Sequence, residues 1–329
     1  MNDFWKEEQD ISQELSLVHD LINNTVDKAQ GFIRPVLLSH VQTQGKMLRP
    51  ALVLIVSNLN KEADRKEAIR IASVIEMIHL ASLVHDDIID SAQKRRGKVT
   101  IFAQVGAKQA VLAGDYLLSC ALSLITGKDT KMEGIIVSNA LGRLCMSELE
   151  QDAGQGNFFI TEQEYFKRIA GKTAALFALS CYAGASVAKL PPEMKNRCHR
   201  IGHFLGMAFQ IQDDILDYTG SEMHLGKKTG NDLRCGIPTL PLLLALKSEK
   251  EQASKEFPLK KLLTTNKKLG QTDVKKAVSL VSSLGGVDQA KKIADTYGNR
   301  ALIDIQSLQD EQVCRQLTSL FTRLSVRST

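Results

Sequence analysis

Three acids close the segment Leu83-Val84-His85-Asp86-Asp87-Ile88-Ile89-Asp90, and a basic run, Lys94-Arg95-Arg96-Gly97-Lys98, follows them. The residues before, Ile71 to Leu83, are largely apolar and contain no Gly or Pro, which predicts a buried helix whose last turns carry the carboxylates. On such a helix Asp86 and Asp90 lie one above the other, with Asp87 about 100° round. Unneutralised, the ladder would raise the pKa of its own members and oppose the negative end of the helix dipole. A hard cation such as Mg²⁺ is its natural partner. A lone ladder of this kind is most simply a solvated helix end. Here the pattern returns in Phe209-Gln210-Ile211-Gln212-Asp213-Asp214-Ile215-Leu216-Asp217, again closing an apolar helical stretch, Ile201 to Ile211. Two such groups suggest two helices that face one cavity and share metal ions.

Cations stand beside these acids in number. Lys46 and Arg49 lie three apart in Gly45-Lys46-Met47-Leu48-Arg49-Pro50, which reads as a loop entering a helix with Pro50 in its first turn. Side-chain charge and open backbone N–H groups then point at one place and suit a phosphate. Arg95 and Arg96 sit on a turn with Gly97, and Lys172-Thr173 interrupts a helix of small and apolar residues. Gly226-Lys227-Lys228-Thr229-Gly230-Asn231-Asp232-Leu233-Arg234 is a basic, Gly-rich loop closed by Pro238-Thr239-Leu240-Pro241. Taken singly, each is equally well a solvated surface cation, Lys172 by snorkelling to water. Together, and next to long apolar helices, they fit a substrate that is a metal-bound polyanion at one end and hydrocarbon at the other. Mg²⁺ suits that role because it ordinarily bridges a few carboxylates to phosphate oxygens.

The elements that must position these groups read as helical throughout. Residues 1–30 are amphipathic (Leu15, Val18, Leu21, Ile22, Val26) and predict helices that cap a bundle. Further helices are predicted before and after each acidic motif, with a break at Pro191-Pro192; strand-like alternation, low-complexity tracts and short repeats are absent from the sequence. The chain of 329 residues therefore reads as one all-α domain. Its net charge of +5 is modest, and its basic residues are not interleaved with aromatics, which argues against nucleic acid as a partner. Six cysteines without metal-like spacing point to free thiols in a reducing cytoplasm and away from zinc. The charged start, Met1 to Glu8, resembles neither a signal nor a transit peptide. The longest nearly uncharged run, 173–188, falls short of the ~20 residues needed to span a bilayer and reads as a core helix.

Read in order from residue 45 to 241, these motifs resemble the all-trans polyprenyl diphosphate synthases, and in particular those making hexaprenyl, heptaprenyl or octaprenyl chains. The resemblance implies the class I isoprenoid synthase fold, a helical bundle around a deep central cavity. It implies condensation of isopentenyl diphosphate with an allylic diphosphate, farnesyl or geranyl, to a medium or long product for quinone side chains, heptaprenyl being the single best expectation. Carried over by position, Asp86, Asp90 and Asp213 bind Mg²⁺, three ions with substrate bound, supported by Asp87, Asp214 and Asp217. Arg95, Lys172, Gln210 and Lys227 hold the allylic diphosphate with Thr173 alongside, and Lys46, Arg49, His79 and Arg96 hold isopentenyl diphosphate. Ala81 and Ser82 stand where bulky aromatics stop shorter products, so a hydrocarbon tunnel stays open there, with Met77 and Ile78 a turn further down and Tyr116, Leu118, Ala121 and Leu122 as its floor. The family is usually dimeric, some members need a small second subunit, and transient delivery of product at a membrane surface follows from the product's length. The chain departs from the family at Ser91, where a further acid is common, and at Gly236-Ile237, where a Lys is common; Lys228 and Arg234 are the cations left nearby. A terpene cyclase would leave Lys46, Arg49 and Arg96 without a purpose, and a non-catalytic subunit would have lost acids that are all present here.

Overall fold

The computed structural model describes residues 3–43, 45–95, 97–125, 131–220, 229–252, 257–265 and 269–325. Arg96 and Lys227 lie outside the described residues, as does the start of the basic Gly-rich loop. Nearly all regular structure is helix. In order these helices are α1 (Gln9–Val26), α2 (Ile33–Val41), α3 (Leu48–Ser57), α4 (Arg65–Ile89), α5 (Ile101–Val105), α6 (Ala107–Ile125), α7 (Lys131–Ala153), α8 (Glu162–Ile169), α9 (Ala175–Val187) and α10 (Pro192–Thr219). Then come the short α11 (Asn231–Arg234), α12 (Leu240–Glu251), α13 (Pro258–Thr265), α14 (Gln271–Ser283), α15 (Gly286–Gln306) and α16 (Glu311–Ser325).

The chain divides into two compact units. One holds Met1–Leu141, Leu176–His199 and Leu308–Leu317; the other holds Gly142–Ala175, Arg200–Ser307 and Thr318–Thr329. In the first unit α4 is the central element, with α1, α3 and α6 packed against it. Asp64 starts α4 by accepting from Lys66 N at 2.9 Å and Glu67 N at 3.3 Å, satisfying two of the open N–H groups of its first turn. Its 25 residues span about 37 Å. By length and composition it could cross a bilayer, but 72% of its most apolar window is buried, so it is a core helix. It ends in a left-handed turn: Ser91 has φ 50°, its N–H donates to Ile88 O at 3.1 Å, and Ala92 N donates to Asp87 O at 2.9 Å.

Two elements differ from the sequence expectation. The basic run after the first motif holds a minimal antiparallel hairpin, β1 (Lys94–Arg95) with β2 (Lys98–Val99), in which Gly97 takes the left-handed conformation at φ 79°. The expectation of no strands is corrected to this extent; two-residue strands are too short to show an alternating pattern. The helix of small and apolar residues expected around Lys172-Thr173 carries a π-helical turn, Ala170–Ala174, between α8 and α9. The second unit packs α12 against α15, with Tyr165, Ile211, Ile215, Leu243 and Ala294 among its buried core.

Candidate active site

At the end of α4 the three acids take different places. Asp86 is half-buried and Asp90 exposed, on one side of the helix, whereas Asp87 is only 2% exposed and its Oδ1 receives Arg95 Nε at 2.7 Å. Asp87 thus neutralises Arg95 and orients the hairpin. His79 lies seven residues before Asp86, about 20° round from it after two turns, so both belong to one side of α4.

The second motif repeats the division. Asp213 at the end of α10 is exposed, and Asp214 is buried. Asp214 receives Tyr165 Oη at 2.6 Å on one oxygen and Gln210 Nε2 at 2.8 Å on the other. Burial pushes its carboxyl up to about 7 against the pull of those two hydrogen bonds, and Asp213 beside it adds to the rise. Gln210 is held at its other end by Thr173 Oγ1, which donates to its Oε1 at 2.6 Å. Asp217 accepts from Asn231 N and Asp232 N, each at 3.0 Å, and so caps α11 at the end of the basic loop. Desolvation, then Asp217, Asp214 and Asp213, push the Asp232 carboxyl well above the ordinary carboxylate range, while Arg168 opposes them.

The π-helical turn places Lys172 and Thr173 at consecutive positions beside this network. A π turn inserts one residue into the helical ladder and re-aims the side chains around it, a device frequent at functional sites. Lys172 Nζ pairs with Glu148 of α7 at 2.9 Å. Arg168, buried, donates to Pro238 O and lies over the Tyr165 ring at 5.6 Å. Sequence reasoning missed Tyr165, Arg168, Glu148 and Asp232. Tyr165 and Arg168 share one helical side three residues apart, but nothing local announces that this side meets Asp214, 49 residues on. Asp232 lies within the basic loop, where Lys227, Lys228 and Arg234 carry the legible charge.

In the first unit the Lys46 loop enters α3 through Met47 in the left-handed conformation at φ 52°. Lys46 Nζ stands 4.7 Å over the Phe4 ring and its carbonyl receives Trp5 Nε1 at 2.7 Å, so the N-terminal segment covers this loop. The Arg49 guanidinium stacks 4.9 Å over Phe177 of α9. Further down α4, a small apolar cavity is walled by Ile71, Val74 and Ile75, by Val137 of α7, and by Leu179, Tyr182 and Ala183 of α9. Ile71, Ile75, Ile78, Ser82 and Asp86 recur every three or four residues and make one stripe, with Ala81 at its margin. Met77 lies off that stripe and is fully buried in helix packing, and Leu122, expected in the floor, is 54% exposed.

The donor set fits Mg²⁺. Asp86 and Asp90 stand one turn apart with access to solvent while the intervening carboxylate is committed to Arg95, and Mg²⁺ takes one or two carboxylates and completes its shell with phosphate and water oxygens. An all-helical chain with two aspartate-rich helix ends, each followed by basic residues, has the class I isoprenoid synthase fold.

A sequence profile of the polyprenyl synthetase family matches residues 31–281. Component 2 of the heptaprenyl diphosphate synthase of Geobacillus stearothermophilus is 32% identical over 292 residues, 89% of each chain. The crystal structure of heptaprenyl diphosphate synthase from Staphylococcus aureus superposes with a TM-score of 0.90 at 30% identity, covering 97% of this chain and 99% of that one. A polyprenyl synthase from Caulobacter crescentus, crystallised with calcium and isoprenyl diphosphate, gives 0.88 at 29% identity over 97% and 96%. The chain belongs to the polyprenyl synthetase family and is a trans-prenyltransferase.

Proposed function

We propose that this chain condenses isopentenyl diphosphate with farnesyl or geranyl diphosphate into a medium or long all-trans polyprenyl diphosphate, between hexaprenyl and octaprenyl and best heptaprenyl, for the side chain of a quinone in the cytoplasm. The observation that carries this reading is the single stripe on α4, which joins carboxylates at its end to an apolar cavity lower down. Ile75 and Ile71 lie 11 and 15 residues before Asp86, about 16 and 22 Å along the axis. A substrate with a diphosphate head and a growing hydrocarbon tail matches that layout, and the small Ala81 and Ser82 leave the tail a way past. The heptaprenyl relatives favour the same length.

On this reading Asp86, Asp90 and Asp213 hold Mg²⁺ on the allylic diphosphate, where the metal supplies charge stabilisation for the departing group. Lys172, Gln210, Arg95 and Lys227 bind that diphosphate, with Thr173 orienting Gln210. Lys46, Arg49, His79 and Arg96 bind isopentenyl diphosphate. Charge develops on the leaving diphosphate and is met by fixed cations, an arrangement that needs no side-chain nucleophile. The isopentenyl double bond then attacks the allylic cation, and the proton lost passes to the released diphosphate. Apolar helix walls exclude water from the cation.

Incubation of the purified chain with farnesyl diphosphate, labelled isopentenyl diphosphate and Mg²⁺, followed by sizing of the product, tests this. A labelled product of six to eight prenyl units is expected, and Ala81→Phe or Ala183→Phe, which narrow the stripe and the cavity, should shorten it. Absence of incorporation alone and with any second subunit rejects the enzyme. The name component 2 of the Geobacillus relative favours a second reading, in which activity appears only with a partner chain added.

A further inference from the structure

The last turn of α4 is held from two sides. On one, Asp87 is bound by Arg95; on the other, the ring of His85 lies against α6. The buried side of α6 is built from Ala110, Ala113, Gly114, Leu117 and Ala121, mostly small, so α6 and α4 pack closely. At Gly114 a side chain would require the His85 ring to move. A Cβ there would overlap the His85 ring, 2.7 Å from Cδ2 and 2.9 Å from Cε1. Beside this notch His85 Nε2 stands 3.4 Å from Val111 O and 3.4 Å from Asp115 Oδ1. Asp115 is 58% exposed, so the ion pair contributes little and the fit of ring into notch does the fixing.

His85 immediately precedes Asp86. In a helix it points about 100° away from Asp86 and about 140° away from Asp90. With the ring seated on α6 and Asp87 tied to the hairpin, the roll of the turn is set, and Asp86 and Asp90 are the side chains left to face outward. We propose that His85 and Gly114 are positioning residues for the metal-binding carboxylates: the glycine notch seats the imidazole and thereby aims Asp86 and Asp90. This rests on the assignment of those two acids to Mg²⁺. Small displacements matter at such a site, where about 1 Å can cost a hundredfold in rate.

Calorimetric titration of the full chain with Mg²⁺ and an unreactive, sulfur-bridged farnesyl diphosphate analogue reads metal-dependent binding apart from turnover. Gly114→Ala is expected to weaken that binding about tenfold or more while leaving the KM for isopentenyl diphosphate nearly unchanged. The double variant His85→Ala/Gly114→Ala removes the ring that the new methyl would strike, and is expected to match His85→Ala alone. Should Gly114→Ala fail to fold, the comparison of the double variant with His85→Ala decides. Wild-type binding by Gly114→Ala overturns the positioning role, as does a double variant that binds worse than His85→Ala or does not fold, since the clash would then be with something else. Analogue binding by the wild type that needs no Mg²⁺ instead overturns the reading beneath it.

Discussion

The six aspartates of the two motifs do unequal work. Asp90 and Asp213 are exposed and Asp86 half-buried; Asp87 is held by Arg95, Asp214 by Tyr165 and Gln210, and Asp217 by the N–H groups of α11. Their substitutions should therefore separate activity from stability. Asp86→Asn is expected to lower turnover roughly 10²- to 10³-fold, the usual cost of losing one electrostatic stabiliser of a transition state. Arg95→Ala should lower turnover and also cost about 3 kcal/mol of unfolding free energy, because it leaves the buried Asp87 carboxylate without its guanidinium. A normal urea midpoint for Arg95→Ala would confine that arginine to substrate binding. The spacing of the motif made the division half legible, since on a helix Asp87 lies about 100° from Asp86 and about 60° from Asp90. Which acid is buried depends on Arg95 reaching back from a hairpin, and no local pattern encodes that.

Helices were legible where apolar residues recur over several turns, as in α4, α6 and α10, and illegible where a local irregularity carries the function. The π turn at Ala170–Ala174 follows no apolar period that the sequence displays. Helix ends are where element-level changes can be tested. α9 closes with Lys189 in the left-handed conformation at φ 54°, its N–H on Ser186 O at 2.9 Å and Leu190 N on Ala185 O at 3.1 Å. Lys189→Gly removes the Cβ cost of that conformation, and a gain of about 1 kcal/mol, or a little less for glycine's looser unfolded chain, is expected in urea unfolding. α16 begins at Asp310, whose carboxylate accepts Val313 N at 2.9 Å and pairs with Lys61 Nζ at 2.9 Å. The Val313 N–H, and then Lys61, hold this carboxyl below its usual range against the opposing effect of burial. A lowered folded pKa means that the contribution is complete above the unfolded value of about 4 and is lost as pH falls through the folded one. Asp310→Ala should thus cost about 1 kcal/mol at neutral pH, with the difference from wild type closing near pH 2; a gap unchanged at that pH would refute the charge argument.

At the scale of the molecule, α6 presents two faces with different fates. Its small residues are spent on α4, which is why Gly114 can seat His85, and its opposite side carries Val111, Leu112 (60% exposed) and Leu122 (54% exposed) in solvent. Ile135 on α7 is exposed as well. The resemblance placed Leu122 in the tunnel floor, whereas helix geometry puts it on the side of α6 turned away from α4. Apolar side chains gathered on one helix face and left in water are costly, and covering them would be favourable. A second copy of this chain is the simplest cover, joined about a two-fold axis so that the same stripe meets itself. Sedimentation should therefore find the wild type dimeric, and Leu112→Glu/Leu122→Glu, which puts four like charges into the self-paired stripe, monomeric at the same concentration. Because α6 also seats the end of α4, the monomeric variant is expected to bind Mg²⁺ with the diphosphate analogue more weakly than wild type although neither leucine lies near the carboxylates. A wild type that sediments as a monomer, or a double variant that stays dimeric, would assign these leucines another partner.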